Sequence, residues 1–173
     1  MADRRRYIRE QLAEHHDLSR FDSGEPDLDR WLREIAADAS ARGYSRVYVW
    51  HAGDDRVIAY FTLSSYAIGR GELPTRLRHG EYRAIPALLL GKLALDRTIQ
   101  GQRLTGLVIA DVVTEAAKAS QHAAARYLVV DAINERVATI YERFGFLRAR
   151  QPDDAATIRL LARITDLEAA LSG

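Results

Sequence analysis

Apolar residues recur along this chain with two different periods, and the alternation of those periods predicts its elements. In residues 23–43, SGEPDLDRWLREIAADASARG, a start signal at SGEP precedes Leu28, Trp31, Leu32, Ile35 and Ala39 at helical spacing, with Gly43 closing the stretch. That spacing predicts one amphipathic helix. Residues 46–68, RVYVWHAGDDRVIAYFTLSSYAI, set two runs rich in β-branched and aromatic side chains on either side of Gly53, Asp54 and Asp55, the pattern of an antiparallel hairpin. The basic, glycine-rich stretch 69–86, GRGELPTRLRHGEYRAIP, keeps no period and reads as a loop with at most a helical turn, placed to serve as a substrate-facing lid.

Residues 87–96, ALLLGKLALD, are nearly continuous aliphatic sequence, as expected of a central strand buried on both faces. Gly91 interrupts it, a position that fits a bulge or a close approach of another group. A long helix follows in 104–124, with Leu104, Leu107, Val108, Ala110 and Val112 among its buried candidates. Then come a strand in RYLVVDA (126–132), a short helix in NERVATIYERFG (134–145) closed by Gly145, a last strand in ATIRLLAR (156–163) and a terminal helical turn. A strand also precedes the first helix. The order predicts an α/β fold, a mixed sheet with helices packed on it.

A length of 173 residues suits one domain spanning 1–173, and 47% apolar with 28% charged residues is an ordinary globular balance. No apolar stretch reaches the roughly 20 residues of a membrane span, and the basic start MADRRRYIRE lacks the apolar segment of a secretion signal, so a cytoplasmic protein without membrane contact is expected. The absence of cysteine removes disulfides, thiolate nucleophiles and cysteine metal sites; no metal site is expected. A formal charge of +1 gives no global case for nucleic acid. Basic residues do cluster locally, as Arg4, Arg5, Arg6 and Arg9, as Arg70, Arg76, Arg78 and Arg83, and as Arg143, Arg148 and Arg150.

The stretch DRTIQGQRLTG, residues 96–106, sits where a buried strand hands over to a helix. The first N–H groups of a helix lack partners and its dipole is positive at that end, so such a junction binds anions. Two residues work against a close backbone approach, Arg103 and Thr105, since each carries a Cβ where such a loop favours glycine. Arg103 can compensate by pairing with a phosphate oxygen, and Thr105 by donating its hydroxyl.

The ordered set FDSGEPDLDRWL, VIAYFTLS, IPALLLGKLALD, QGQRLTG and YLVVDAINERVATIYERFGF resembles the GNAT acetyltransferases, and among them the toxins of type II toxin–antitoxin pairs that acetylate aminoacyl-tRNA. The resemblance covers nearly the whole chain. It implies the GNAT acyl-CoA N-acyltransferase fold, with splayed middle strands, and acetyl-CoA as cofactor. Leu93, Ala94 and Leu95 would then lie on the splayed strand whose backbone pairs with the pantetheine arm. The amides of Gln100, Gly101, Gln102, Arg103, Leu104, Thr105 and Gly106 would cradle the pyrophosphate. Asn134 matches a position near the cofactor, and is equally a plain helix N-cap. Tyr141 matches the tyrosine that bonds the CoA sulfur and protonates the departing thiolate; by spacing alone, with Val137, Ile140 and Phe144, it is a core residue.

Acetyl transfer needs a neutral amine. A lysine with a pKa of about 10.4 is almost wholly protonated at neutral pH, an α-amine near about 8 is partly neutral, and the ester of an aminoacyl-tRNA lowers it further. Residues 85–95 contain no carboxylate or histidine, which favours an amine of low pKa; Glu81 and His79 are either a base from the loop or solvated residues. For a tRNA acceptor, Arg76, Arg78 and Arg83, with Arg4, Arg5 and Arg6, are the expected phosphate contacts. The resemblance also implies a cognate antitoxin of the ribbon-helix-helix kind and a homodimer. Two other readings stand beside this one: a GNAT acting on protein or small-molecule amines, and a catalytically weak domain kept as a binding or repressor module.

Overall fold

The computed structural model describes residues 6–173 of the chain. It falls into two compact units, one of residues up to 64 with 91–112, the other of residues 65–90 and 113–173.

In the first unit β1 (Ile8–Gln11) pairs antiparallel with β2 (Arg46–His51), from Ile8↔His51 to Gln11↔Tyr48. β2 in turn pairs antiparallel with β3 (Ala59–Gly69), from Arg46↔Leu63 to Trp50↔Ala59, which is the predicted hairpin. The predicted single helix is two helices, α1 (Pro26–Glu34) and α2 (Ala36–Ala41). They meet at Ile35, which was expected on the buried stripe and is 45% exposed. Leu32, Ala36 and Ala39 are buried, so the apolar stripe crosses the break although the helix does not. Asp29 holds the entry to α1, accepting the N–H and the hydroxyl of Ser23 at 3.0 and 2.6 Å. Phe21, Leu32, Val47, Val49, Val57 and Tyr60 form the core of this unit, each large side chain contributing about 1.5–3 kcal/mol on burial.

β3, β4 (Ala84–Leu95) and α3 (Thr105–His122) have residues in both units. The α3 stripe is Val108, Ile109, Val112, Val113, Ala116 and Ala117, all buried, whereas the predicted Leu107 is half-buried. β4 is not buried on both faces as expected. Ile85, Ala87, Leu90, Ala94 and Leu95 are buried, while Leu88, Leu89, Lys92 and Leu93 are half-buried and Gly91 is exposed.

In the second unit β4 pairs parallel with β5 (Tyr127–Ala132), from Ala87↔Tyr127 to Leu90↔Val130. β5 pairs antiparallel with β7 (Ile158–Arg163) along its whole length, and the two-residue β6 (Leu147–Arg148), absent from the predicted elements, pairs with β7. Helix α4 (Glu135–Arg143) follows β5, and the terminal helical turn is a full helix, α5 (Ile164–Ser172). Ile68, Leu73, Ile85, Tyr127, Val129 and Leu161 form this unit's core. The strand order is β1-β2-β3-β4-β5-β7-β6, a mixed sheet. Among the described residues no helix is long and apolar enough to cross a membrane.

Candidate active site

Residues 96–106 leave β4 through a turn that is fixed by side chains. Asp96, 2% exposed, anchors it. One carboxylate oxygen accepts the N–H of Asp22 at 2.9 Å, the other the N–H and hydroxyl of Thr98 at 2.9 and 2.7 Å, and Arg56 lies 3.8 Å away. Burial alone would push this carboxyl up; the Thr98 hydroxyl, the two amides and Arg56 outweigh it and hold Asp96 below the usual carboxylate range. Gln100 turns its side chain inward, donating Nε2 to the carbonyls of Ser23 and Leu95, both at 2.7 Å. Gln102 donates Nε2 to the carbonyl of Thr98 at 3.0 Å.

The backbone then passes through positive φ twice, at Gly101 (75°) and at Arg103 (59°). The second is the position where the sequence departs from glycine, and an L-residue pays about 1–2 kcal/mol there. The Arg103 guanidinium is exposed, and no described residue pairs with it. Val108 closes the first helical hydrogen bond of α3, onto the carbonyl of Leu104 at 3.0 Å. Among the described residues no acceptor engages the N–H groups of residues 103–107. Consecutive free donors at a helix start, next to an unpaired guanidinium, are what a phosphate or diphosphate requires.

Upstream on β4, Gly91 has the close approach expected of it. A Cβ there would lie 3.0 Å from Oγ1 of Thr62, and that same oxygen accepts the N–H of Lys92 at 3.0 Å. The Lys92 amide is thereby bonded to a side chain, two residues past the end of the β4–β5 ladder at Leu90↔Val130. Leu93, Ala94 and Leu95 follow, the last two buried. All these residues, with Gln100, Gly101, Gln102, Arg103, Leu104, Thr105 and Gly106, belong to the first unit.

The second unit holds the other predicted residues. Tyr141 lies on the buried face of α4 and its ring meets Phe146 edge-on, with centroids 5.4 Å apart. Its ring is core, as spacing indicated, but its hydroxyl differs from those of two other buried tyrosines. Tyr60 donates to the carbonyl of Leu28 at 2.7 Å and Tyr127 to Glu81 at 3.0 Å, whereas no described residue hydrogen-bonds the Tyr141 hydroxyl. Burial pushes its pKa up, so at neutral pH it is a protonated donor. Asn134 is the N-cap of α4: its Oδ1 accepts the N–H of Val137 at 3.0 Å, and its exposed Nδ2 has no partner among the described residues.

Glu81 is neither solvated nor a free base. It is 7% exposed and accepts from Nε of Arg126 at 2.8 and 3.0 Å and from the Tyr127 hydroxyl. Of the loop arginines, Arg78 is committed to the chain, donating to the carbonyls of Leu73 and Gly71 at 2.8 and 3.4 Å. Arg76 and Arg83 are exposed and have no side-chain partner among the described residues. Arg148, in another predicted cluster, is bridged to Glu135 and Glu142. Arg4 and Arg5 lie outside the described residues.

Sequence reasoning did not find Glu10, His16 and His51, whose ligand-type atoms converge in the first unit. His16 Nδ1 accepts the N–H of Ala13 at 2.9 Å and His51 Nδ1 that of Gly53 at 3.1 Å. Each ring therefore carries its proton on Nε2 and donates it to Oε1 of Glu10, at 2.9 and 2.6 Å. A metal at Nε2 would have to displace those protons, so the cluster is a hydrogen-bonded carboxylate and not a ligand set.

No protein-family model matches the sequence. The chain is 29% identical over 153 residues to a tRNA-acetylating toxin of Mycobacterium tuberculosis, covering 88% of this chain and 90% of that one. Among solved structures it is similar to the toxin AtaT complexed with acetyl-methionyl-tRNAfMet, with a TM-score of 0.84 and 27% identity over 95% of this chain and 99% of the other. It is likewise similar to AtaTR bound with acetyl-CoA, with a TM-score of 0.80 and 27% identity over 95% and 98% of the two chains. The mixed sheet flanked by helices is the GNAT fold that these structures share.

Proposed function

We propose, on the likeness to these toxin acetyltransferases along nearly the whole chain, that this protein transfers acetyl from acetyl-CoA to the α-amino group of aminoacyl-tRNA and so blocks translation. The likeness to a toxin solved with its acetylated aminoacyl-tRNA carries the reading. Acetyl-CoA supplies an acyl group already activated as a thioester. The free amides of residues 103–107 and the Arg103 guanidinium suit its pyrophosphate, with Gln100, Gly101 and Gln102 shaping the loop. Leu93, Ala94 and Leu95 present backbone to the pantetheine arm, and Asn134 has its Nδ2 left over from capping to offer the same arm. Tyr141 holds, on an unbonded hydroxyl, the proton that a thiolate needs on leaving.

The acceptor side follows from Glu81 and from residues 85–95. Glu81 is held by Arg126 and Tyr127, and residues 85–95 carry no carboxylate or histidine, so an amine that is already largely neutral at pH 7 is the fitting substrate. Arg76 and Arg83 supply phosphate contacts, with Arg78 acting mainly on its own loop. The protein works as one catalytic domain in the cytoplasm, where charged tRNA is, as a homodimer neutralised by an antitoxin of the ribbon-helix-helix kind.

The test is to incubate purified protein with acetyl-labelled acetyl-CoA and a mixture of charged tRNAs, with a protein extract and small amines as competing acceptors. Label is expected in the aminoacyl moiety of tRNA with wild type and not with Tyr141→Phe. Label confined to protein or small amines would replace this reading with a general acetyltransferase.

A further inference from the structure

Tyr82 is 81% exposed, more than any other large hydrophobic side chain described, and its ring contacts no other aromatic or cation among the described residues. The backbone on both sides of it is nevertheless pinned. The Glu81 carboxylate is clamped by Arg126 and Tyr127. Arg70 spans the segment, its guanidinium donating to the carbonyl of Glu81 at 3.3 Å and its N–H to that of Arg83 at 3.0 Å. An aromatic ring is thus displayed to water from a fixed base.

The loop's own charge is predominantly basic. The loop carries Arg70, Arg76, Arg78 and Arg83 against two carboxylates, Glu81, paired with Arg126 at 2.8 Å, and Glu72, 3.0 Å from Arg159, which it shares with Asp131. A positive surface with a rigid exposed aromatic beside free arginines is the combination that binds single-stranded nucleic acid, the arginines taking phosphates and the ring stacking on a base. A base inside a duplex is already stacked on its neighbours and gains nothing from such a ring.

We propose that Tyr82 is a stacking platform for an unpaired nucleotide at the 3′ end of the tRNA acceptor arm, with Arg83 and Arg76 holding flanking phosphates. The inference rests on the aminoacyl-tRNA reading. It assigns different work to adjacent residues: Arg83 binds in a salt-dependent way and Tyr82 does not.

The experiment measures binding of an uncharged acceptor-arm RNA hairpin, with and without its single-stranded 3′ tail, over a series of KCl concentrations. Wild type, Tyr82→Ala, Tyr82→Phe and Arg83→Ala are compared, alongside the KM for acetyl-CoA. Tyr82→Ala is expected to weaken binding of the tailed hairpin about tenfold, with an unchanged salt slope, unchanged binding of the blunt hairpin and unchanged KM for acetyl-CoA. Tyr82→Phe restores affinity, and Arg83→Ala lowers the salt slope by about one phosphate. Equal weakening of tailed and blunt hairpins, or none, overturns the proposal, as does a change of sedimentation with Tyr82→Ala, which would assign the ring to contact with a second copy. If wild type binds no RNA but does bind acetyl-CoA, the aminoacyl-tRNA reading itself fails, a result distinct from a failed platform.

Discussion

Replacing Arg103 by alanine and, separately, by glycine divides two effects that meet at one residue. Its side chain offers a free cation beside unpaired amides, and its backbone sits at φ 59°, where a Cβ is unfavourable. A hydrogen bond to a charged group is worth about 1.5–3 kcal/mol, and solvent screening of an exposed guanidinium reduces that to about 1 kcal/mol. At about 1.4 kcal/mol per tenfold, both substitutions should weaken acetyl-CoA binding roughly fivefold. In folding they diverge. Relief of the positive φ gives glycine about 1 kcal/mol, of which about half is offset by its freer unfolded chain. Arg103→Gly should therefore melt about 1–2 °C above Arg103→Ala. Isothermal calorimetry at low and high salt, with thermal melts of the same samples, reads both quantities. If alanine bound as tightly as wild type, the guanidinium would have no phosphate to hold. If glycine bound far more tightly than alanine, the Cβ and not the charge would control the loop.

Tyr141→Phe should lower the acetylation rate at least about a hundredfold while shifting urea-unfolding stability by less than about 0.5 kcal/mol, because its hydroxyl gives up no internal partner. Tyr60→Phe, which loses the 2.7 Å bond to Leu28, should cost about 1–2 kcal/mol; equal costs for the two would make the Tyr141 hydroxyl structural. Gly91→Ala forces a Cβ against Thr62 and should cost about 1–2 kcal/mol in the same assay, with Thr62→Ala recovering part of it. His16 and His51, with a smaller contribution from His15, hold the Glu10 carboxyl down from 4.5 to about 2. Because the folded value is the lower one, its stabilisation is complete above 4.5 and is lost as pH falls towards about 2. Acid unfolding followed by circular dichroism should be less steep through that window in Glu10→Gln, and an unchanged profile would show that the histidines do not hold the carboxyl.

The hydrophobic pattern located the β2–β3 hairpin, α3, β5 and α4: α3 buries a regular stripe, β2 and β5 are apolar runs buried almost throughout, and α4 turns Ala138 and Tyr141 inward. It failed at Ile35, where the stripe continues through a break that no proline or glycine marks. It also overstated the burial of β4, since aliphatic composition does not record where the β4–β5 ladder stops. The loop at 96–106 was legible by its place between a strand and a helix. Its shape was not, because Gln100 is held by the carbonyl of Ser23, 77 positions away. The same distance problem hid Glu81, whose partners Arg126 and Tyr127 lie 45 and 46 positions downstream. For Tyr141 the spacing gave burial of the ring; that the hydroxyl has no partner is a property of the packed chain alone.

The bonds that shape residues 96–106 all end on the chain itself: Asp96 on Asp22 and Thr98, Gln100 on Ser23 and Leu95, Gln102 on Thr98. Residues 96–102 have lost their conformational freedom in folding, so an anion that docks on the loop orders little beyond itself and the Arg103 side chain. In kinetic terms, capture at such a loop is governed by encounter and orientation, with no rearrangement to wait for. Differences in affinity among ligands that share the same diphosphate then arise in how slowly each one leaves.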